Sequence, residues 1–392
     1  MNDEIPLSVP HLNIDIIDNL KECVQSGWVS TGGRFIDDFE RKFASYVGAG
    51  DAVSVQSGTA ALHLALMALG VKSGDEVIVP ALAFIGAVNP VKYIGAAPVF
   101  MDCDDSLCMD PEKLSVFCSQ KCSVTEAGLV NNLTKRKISA IIIVHVFGNM
   151  ADMGRIMEIA RRYGIAVVED AAEAVGTYCA EGAYEGRFAG TIGDIGVYSF
   201  NANKIITTGG GGMAVSKNQG CADRIRYLST TAKDDGLYFV HNDVGYNYRM
   251  LNIQAAIGVS QIGELEKFID IKEKNYGLYR GLLAGVAGVT LMPFRQGTRP
   301  NYWFYSIYVD RAGYGLSRDE LLERLIAAGV QCRPVWKLAN TQMPYSGFQS
   351  FNIEKAPEYA RNILNVPCSV GLTEEQASRV CEIMRENSQP QG

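Results

Sequence analysis

The sequence predicts an α/β protein. A large domain, residues 1–250, is built on a mostly parallel mixed sheet flanked by helices, and a smaller C-terminal α+β domain spans residues 251–392. Three observations carry that expectation. Between about residue 50 and residue 216, short runs rich in Val and Ile alternate with helical patterns, the order that builds a parallel sheet. Those runs lack polar alternation, as strands covered on both faces do. The chain has 392 residues, more than one ordinary core accommodates, and its character changes near Met250.

In chain order, residues 1–12 read as an extended arm and Ile14 to Val24 as a helix, broken by the glycine-rich Ser26–Gly33. Trp28 in that loop either packs or lines a pocket. Phe35, Phe39, Phe43 and Tyr46 repeat at helical spacing. A short strand ending at Gln56 leads through Ser57-Gly58-Thr59 into a helix with Leu62, Leu66 and Leu69 on one face. Ser57 or Thr59 caps it. Further buried strands are expected at Glu76–Val79, Ala97–Met101, Ala140–Val146, Ala166–Glu169, Gly196–Phe200 and Met213–Ser216, with helices at Met153–Tyr163 and Asp223–Leu228. The polar residues 118–137 read as an irregular surface excursion. A long helix runs to about Leu283, Tyr302–Val309 reads as a strand, and Ser317…Glu320 and Thr373…Gln376 are capping boxes opening two more helices.

Composition narrows the function. A net charge of −7 lacks the basic footprint that nucleic acid or an anionic membrane requires. Ten scattered cysteines, without a CxxC pair or zinc-like histidine spacing, fit reduced thiols in a cytoplasmic protein. The acidic start has no apolar signal core, and no stretch approaches the roughly 18 apolar residues of a membrane helix. The sequon at Asn132 is then a chance match.

Four features stand at strand ends, where parallel α/β sheets bind ligands. Lys204 follows a strand and precedes Gly209–Gly212; Asp170 closes a second strand; Ser57-Gly58-Thr59 opens a helix after a third; Phe84 follows a fourth. Their chemistry suits pyridoxal 5′-phosphate. Lys204 supplies an amine for the aldehyde, Asp170 a carboxylate to hold the proton on the pyridine nitrogen, and Phe84 an aromatic face. Gly58, Thr59 and Ser199 offer a helix N-terminus and hydroxyls to the phosphate. No dinucleotide or P-loop glycine motif competes with this arrangement.

The segments SGWVSTGG, SGTAALHLAL, GDEVIVPALAF, VVEDAAEAVG, GDIGVYSFNANKIITTGGGGM and GYNYRM, with others along nearly the whole chain, resemble the DegT/DnrJ/StrS-type aminotransferases of fold type I. The resemblance implies that Lys204 is the Schiff-base lysine, that Asp170, Phe84, Gly58, Thr59 and Ser199 hold the cofactor, and that Asn247 reaches the phosphate of a neighbouring subunit in a homodimer. Many members carry glutamine where this chain has Glu173, against the cofactor's ring oxygen. Two facing negative groups repel, so Glu173 must be protonated, paired or turned away. The segments IPLSVPHLN, TTAKDD and Arg333-Pro-Val-Trp-Lys337 are similar to the 4-aminotransferases of the legionaminic acid and bacillosamine routes. That similarity implies glutamate as donor, 2-oxoglutarate as its product, and a UDP-linked 2-acetamido-2,6-dideoxy-4-keto-hexose as acceptor. Lys233, Arg249 and Arg333 are then candidates for the diphosphate or the carboxylates. GDP- or dTDP-linked sugars, a dehydratase on the same scaffold and a non-catalytic sensor are the alternatives.

Overall fold

A computed structural model describes residues 4–388. Seven strands of the main sheet lie in the first 216 residues: β1 (Asp51–Val55), β2 (Glu76–Pro80), β3 (Ala97–Met101), β4 (Ile138–Val144), β5 (Ala166–Asp170), β6 (Ile195–Ser199) and β7 (Gly212–Ser216). The second half supplies β8 (Val289–Leu291), β9 (Tyr305–Val309), β10 (Arg333–Pro334), β11 (Ser350–Phe351) and β12 (Ile363–Val366). The main sheet runs β1-β7-β6-β5-β4-β2-β3-β11. Its pairs from β6 to β11 are parallel, and β7 is antiparallel to both β6 and β1. Reversing direction twice leaves β1 parallel to β6, so β1, β2, β5 and β6 all end on one edge. The fully buried Val77–Val79, Ile141–Ile143 and Val167–Val168 explain why these runs show no alternation.

Helices α1 (Ile16–Ser26), α2 (Arg34–Val47) and α3 (Gly58–Ala68) precede or follow β1. The long helix α4 (Asn252–Leu282) packs against α1 and α2. Phe39 and Phe43 on α2 meet Phe200 at ring-centroid distances of 5.0 and 5.5 Å, which anchors the chain just beyond β6. The second sheet, β8-β9-β12-β10, is antiparallel. Both capping boxes form: Ser317 accepts from Glu320 N–H, and Thr373 accepts from Gln376 N–H.

Two segments cross the expected boundary at residue 250. Ile5 N–H donates to Gly329 O at 2.8 Å, and Cys368 N–H donates to Leu7 O at 2.8 Å, which seats the N-terminal arm on the second half. Conversely, β11 joins the main sheet beside β3. Buried Asp102 accepts from the N–H groups of Glu354, Lys355 and Ala356 at 2.8, 2.9 and 2.8 Å, fastening the next helix, Lys355–Asn362.

Three local expectations need correction. Residues 118–137 are not irregular: a helix, Pro111–Gln120, is followed by a hairpin pairing Cys122–Thr125 with Gly128–Asn131. Asn131 Nδ2 donates to Glu76 Oε2 at 2.8 Å, so a polar residue there is a structural tie. The strand at 140 begins and ends two residues early, because Val146–Gly148 turn in a tight helix with Phe147 at φ +57. The strand expected from Tyr302 starts at Tyr305, because Tyr302 takes a left-handed backbone (φ +54) that a strand cannot hold.

Candidate active site

Between the common edge of the main sheet and the β9–β10 region lies a cavity of about 780 Å³. That is the size of a pocket for a cofactor or small ligand. Its lining includes Gly58, Thr59, Phe84, Asp170, Ser199 and Lys204, together with Glu173 and Arg333. Eight of the eleven residues singled out from sequence thus meet in one place.

Ser57 is the N-cap of α3: its hydroxyl accepts from Ala60 N–H at 3.1 Å. Capping one N–H leaves other first-turn groups of the helix aimed at the cavity, at the positive end of its dipole. Close packing shapes this cradle. A Cβ on Gly58 would sit 3.1 Å from the Ser199 Cβ, and one on Gly212 would sit 2.5 Å from the Ser57 carbonyl carbon. Gly212, the last of the four glycines after Lys204, is therefore a spacer that lets β7 pass under the start of α3.

Lys204 lies on the loop beyond β6. Its Nζ stands 4.0 Å above the Trp303 ring and 3.5 Å from Glu173 Oε1. The other oxygen of Glu173 accepts from Phe147 N–H at 2.8 Å. Of the alternatives open for Glu173, the structure takes pairing. Burial pushes its carboxyl above the ordinary range; Lys204 and the Phe147 N–H pull the other way, and Asp170 adds to the rise. Asp170, the last residue of β5, accepts from Ala172 N–H at 3.0 Å. Burial raises its carboxyl too, opposed by that N–H and by the charge of Lys204. Behind it, His145 Nδ1 accepts from Ala151 N–H, so the proton sits on Nε2 and is donated to Glu169 Oε2 at 2.9 Å. Phe84 is 55% exposed, with its ring beside the opening and 6.4 Å from that of Trp336.

Three expected residues lie elsewhere. Arg249 does not line this cavity: it is buried and donates to Glu40 Oε1 and to Ser54 O, bracing β1. Its cationic fork is satisfied by a buried carboxylate. Lys233 is exposed on a hairpin, its amine 5.2 Å from the Phe239 ring. Asn247 is exposed on the segment alongside β1 and does not line its own chain's cavity. Trp28, left open between packing and lining, is 62% exposed and outside the cavity.

Sequence reasoning missed Trp303 and Trp336, which both line the cavity. Asn301 sets the first: its Nδ2 donates to Glu173 O and Val175 O, and its Oδ1 accepts from Trp303 N–H. The available signal was composition, since these are two of only three tryptophans in the chain.

Pyridoxal phosphate fits these residues. An amine, a buried carboxylate needing a positive partner, an exposed aromatic face and a helix N-terminus narrowed by glycines surround a space of suitable size. Partners exist across the cavity for each end of a flat aromatic aldehyde bearing a phosphate, on a mostly parallel sheet flanked by helices. That is the architecture of a pyridoxal phosphate-dependent aminotransferase of fold type I. The chain belongs to the DegT/DnrJ/EryC1/StrS aminotransferase family, whose model matches residues 10–385. It is 37% identical over 379 residues to a GDP-perosamine synthase of Caulobacter vibrioides, covering 96% of each chain. Its fold matches the aminotransferase TlmJ from Streptoalloteichus hindustanus with a TM-score of 0.87, 28% identity and 98% of each chain covered. DesI, solved in the presence of its TDP-sugar product, matches with a TM-score of 0.87 and 27% identity, covering 98% of this chain and 93% of that one.

Proposed function

We propose that this enzyme aminates the keto group of a nucleotide-linked sugar, taking the amine from glutamate and releasing 2-oxoglutarate. The carrying observation is the make-up of the cavity walls: Lys204, Asp170 and the start of α3 on one side, and the cations Arg333 and Lys337 on another. Cations of this kind suit a diphosphate or a carboxylate. Pyridoxal phosphate supplies the electron sink that lets an amine pass between two carbon skeletons. Thr59, Ser199 and the first turn of α3 bind its phosphate, Asp170 keeps its ring nitrogen protonated, and Phe84 covers one ring face. Lys204 holds the cofactor at rest and, once freed, moves a proton to or from the donor's Cα.

The working unit is a homodimer acting in the cytoplasm. Asn247 faces solvent in the single chain, and the neighbouring hairpin exposes Leu237, Tyr238 and Phe239. A second copy covering that surface would bring Asn247, and with it Lys233, to its partner's site.

The amine goes to C4 of the hexose. The motif resemblances imply a UDP-linked 2-acetamido-2,6-dideoxy-4-keto-hexose. The 37% identity to a GDP-perosamine synthase favours a GDP-linked sugar as the second reading. Release of 2-oxoglutarate from glutamate against a panel of UDP-, GDP- and dTDP-linked keto sugars tests this. Turnover on one carrier is expected, lost together with the visible absorption of the bound cofactor in Lys204→Ala. An alanine variant that keeps both sinks the lysine's role. Turnover confined to dTDP-linked sugars, or at a carbon other than C4, overturns the substrate.

A further inference from the structure

Glu173 is held in a way that no cofactor contact alone requires. In the tight turn Val146–Gly148, where Phe147 is left-handed (φ +57), the Phe147 N–H donates to Glu173 Oε2 at 2.8 Å. That bond makes Oε2 an acceptor and leaves Oε1 as the atom that meets Lys204 Nζ, at 3.5 Å. Both side chains are largely out of water, with relative exposures of 12% for Lys204 and 5% for Glu173. A glutamine here would spend its carbonyl oxygen on the Phe147 N–H and turn its NH₂ toward the amine, donor against donor. Only the carboxyl can receive a proton from the lysine.

From this geometry we infer that Glu173 is the proton partner of Lys204, taking a proton from the ammonium and returning it during each turnover. One N–H bond of the ammonium breaks and an O–H bond forms at Oε1. The pair passes from ammonium and carboxylate to amine and carboxylic acid, with net charge unchanged. The transfer matters because a lysine attacks a carbonyl carbon, or lifts a proton, only through a free lone pair. The neutral pair also suits a buried site, where separated charges are costly. The other charged groups facing the pair are Asp170 at the end of β5 and, from the β10 side of the cavity, Arg333 and Lys337, with the His145–Glu169 pair behind Asp170.

The inference rests on the pyridoxal phosphate reading of the site, and its test separates the two. Cofactor-free protein is mixed with pyridoxal phosphate between pH 6 and 10, and the growth of visible absorption reports capture by Lys204. Binding of pyridoxamine phosphate, which forms no bond to lysine, is measured in parallel and also checks that each variant is folded. In Glu173→Gln, capture at pH 7 should slow at least tenfold, the deficit closing toward pH 10, while pyridoxamine phosphate affinity stays within twofold. Glu173→Ala should be similarly slow, with formate restoring part of the rate. Capture by Glu173→Gln at the wild-type rate across the range overturns the inference. So does a loss of pyridoxamine phosphate affinity matching the loss in rate, which would mark a ring contact. Wild-type protein that binds neither form overturns the cofactor reading instead.

Discussion

Replacing Gly212 by alanine should damage the phosphate cradle without replacing any residue assigned to the cofactor. The added Cβ would lie 2.5 Å from the carbonyl carbon of Ser57 and 2.6 Å from the nitrogen of Gly58 and the oxygen of Ser57. All three are backbone atoms, so no side chain can swing aside. Regaining ordinary contact at 3.4 Å means moving the start of α3 away from β7 by roughly 0.9 Å. Overpacking of this kind costs about 1–3 kcal/mol. A shift that size also stretches the charge-assisted hydrogen bonds that α3 would give a phosphate, each worth about 1.5–3 kcal/mol. Losing one weakens binding roughly 10- to 150-fold. Calorimetric titration of cofactor-free protein with pyridoxamine phosphate reads this directly, and unphosphorylated pyridoxamine serves as the control that should not change. The neighbouring glycines calibrate the result. Gly209 (φ +79) has open space around its Cβ position, so alanine there should cost only the left-handed strain, about 1–2 kcal/mol of stability, with affinity intact. At Gly210 the nearest atom is Gln254 Nε2 at 3.6 Å, and alanine should be tolerated. A Gly212→Ala protein binding pyridoxamine phosphate within twofold of wild type would refute the spacer role.

Two further outcomes separate structural from ligand-facing groups. Arg249→Ala removes one of two arginines from the buried Glu40, which keeps Arg226 at 2.9 Å and the Ser54 N–H and hydroxyl, and should cost about 1.5–3 kcal/mol of stability in thermal melts. Arg333→Ala should leave melting unchanged and raise KM for the nucleotide sugar; the reverse pattern would restore Arg249 as a substrate contact. Burial holds the Asp170 carboxyl above its usual range, so cofactor-free protein loses stability there as pH rises through that raised value. Asp170→Asn removes the charge. It should melt above wild type at pH 8, the gap closing on acidification as the wild-type carboxyl takes up its proton, while activity is lost. A gap that widens on acidification would contradict the sign.

What the sequence disclosed about the site was what lies close along the chain. Ser57 before a leucine-faced helix, Asp170 at the end of a valine run and Lys204 before four glycines each announce a strand end. Strand ends in a parallel sheet converge. The place of Arg249 was not legible because a guanidinium has the same character toward substrate as toward a carboxylate 209 residues away in the chain. Trp303 was hidden for a related reason. Its position under Lys204 depends on Asn301 bonding the carbonyls of Glu173 and Val175, contacts that bridge distant segments. The hairpin within 118–137 looked irregular because most of its polar residues face water, and its buried polar tie, Asn131, answers to Glu76, far off in the chain.

The crossing of the two halves constrains how such an enzyme can be rebuilt. Ser350–Phe351 extends the sheet that carries the cofactor residues, and the arm at Ile5 and Leu7 rests on residues 329–330 and 368. Exchanging residues 251–392 for those of a relative would therefore alter the edge of the cofactor sheet and the seat of the N-terminus at once. Arg333, Trp336 and Lys337 travel with that half, but so does the carboxylate-capped helix that Asp102 fastens. A graft of substrate preference between relatives should be made by point changes around the cavity, or carry residues 4–13 and the surroundings of Asp102 with it.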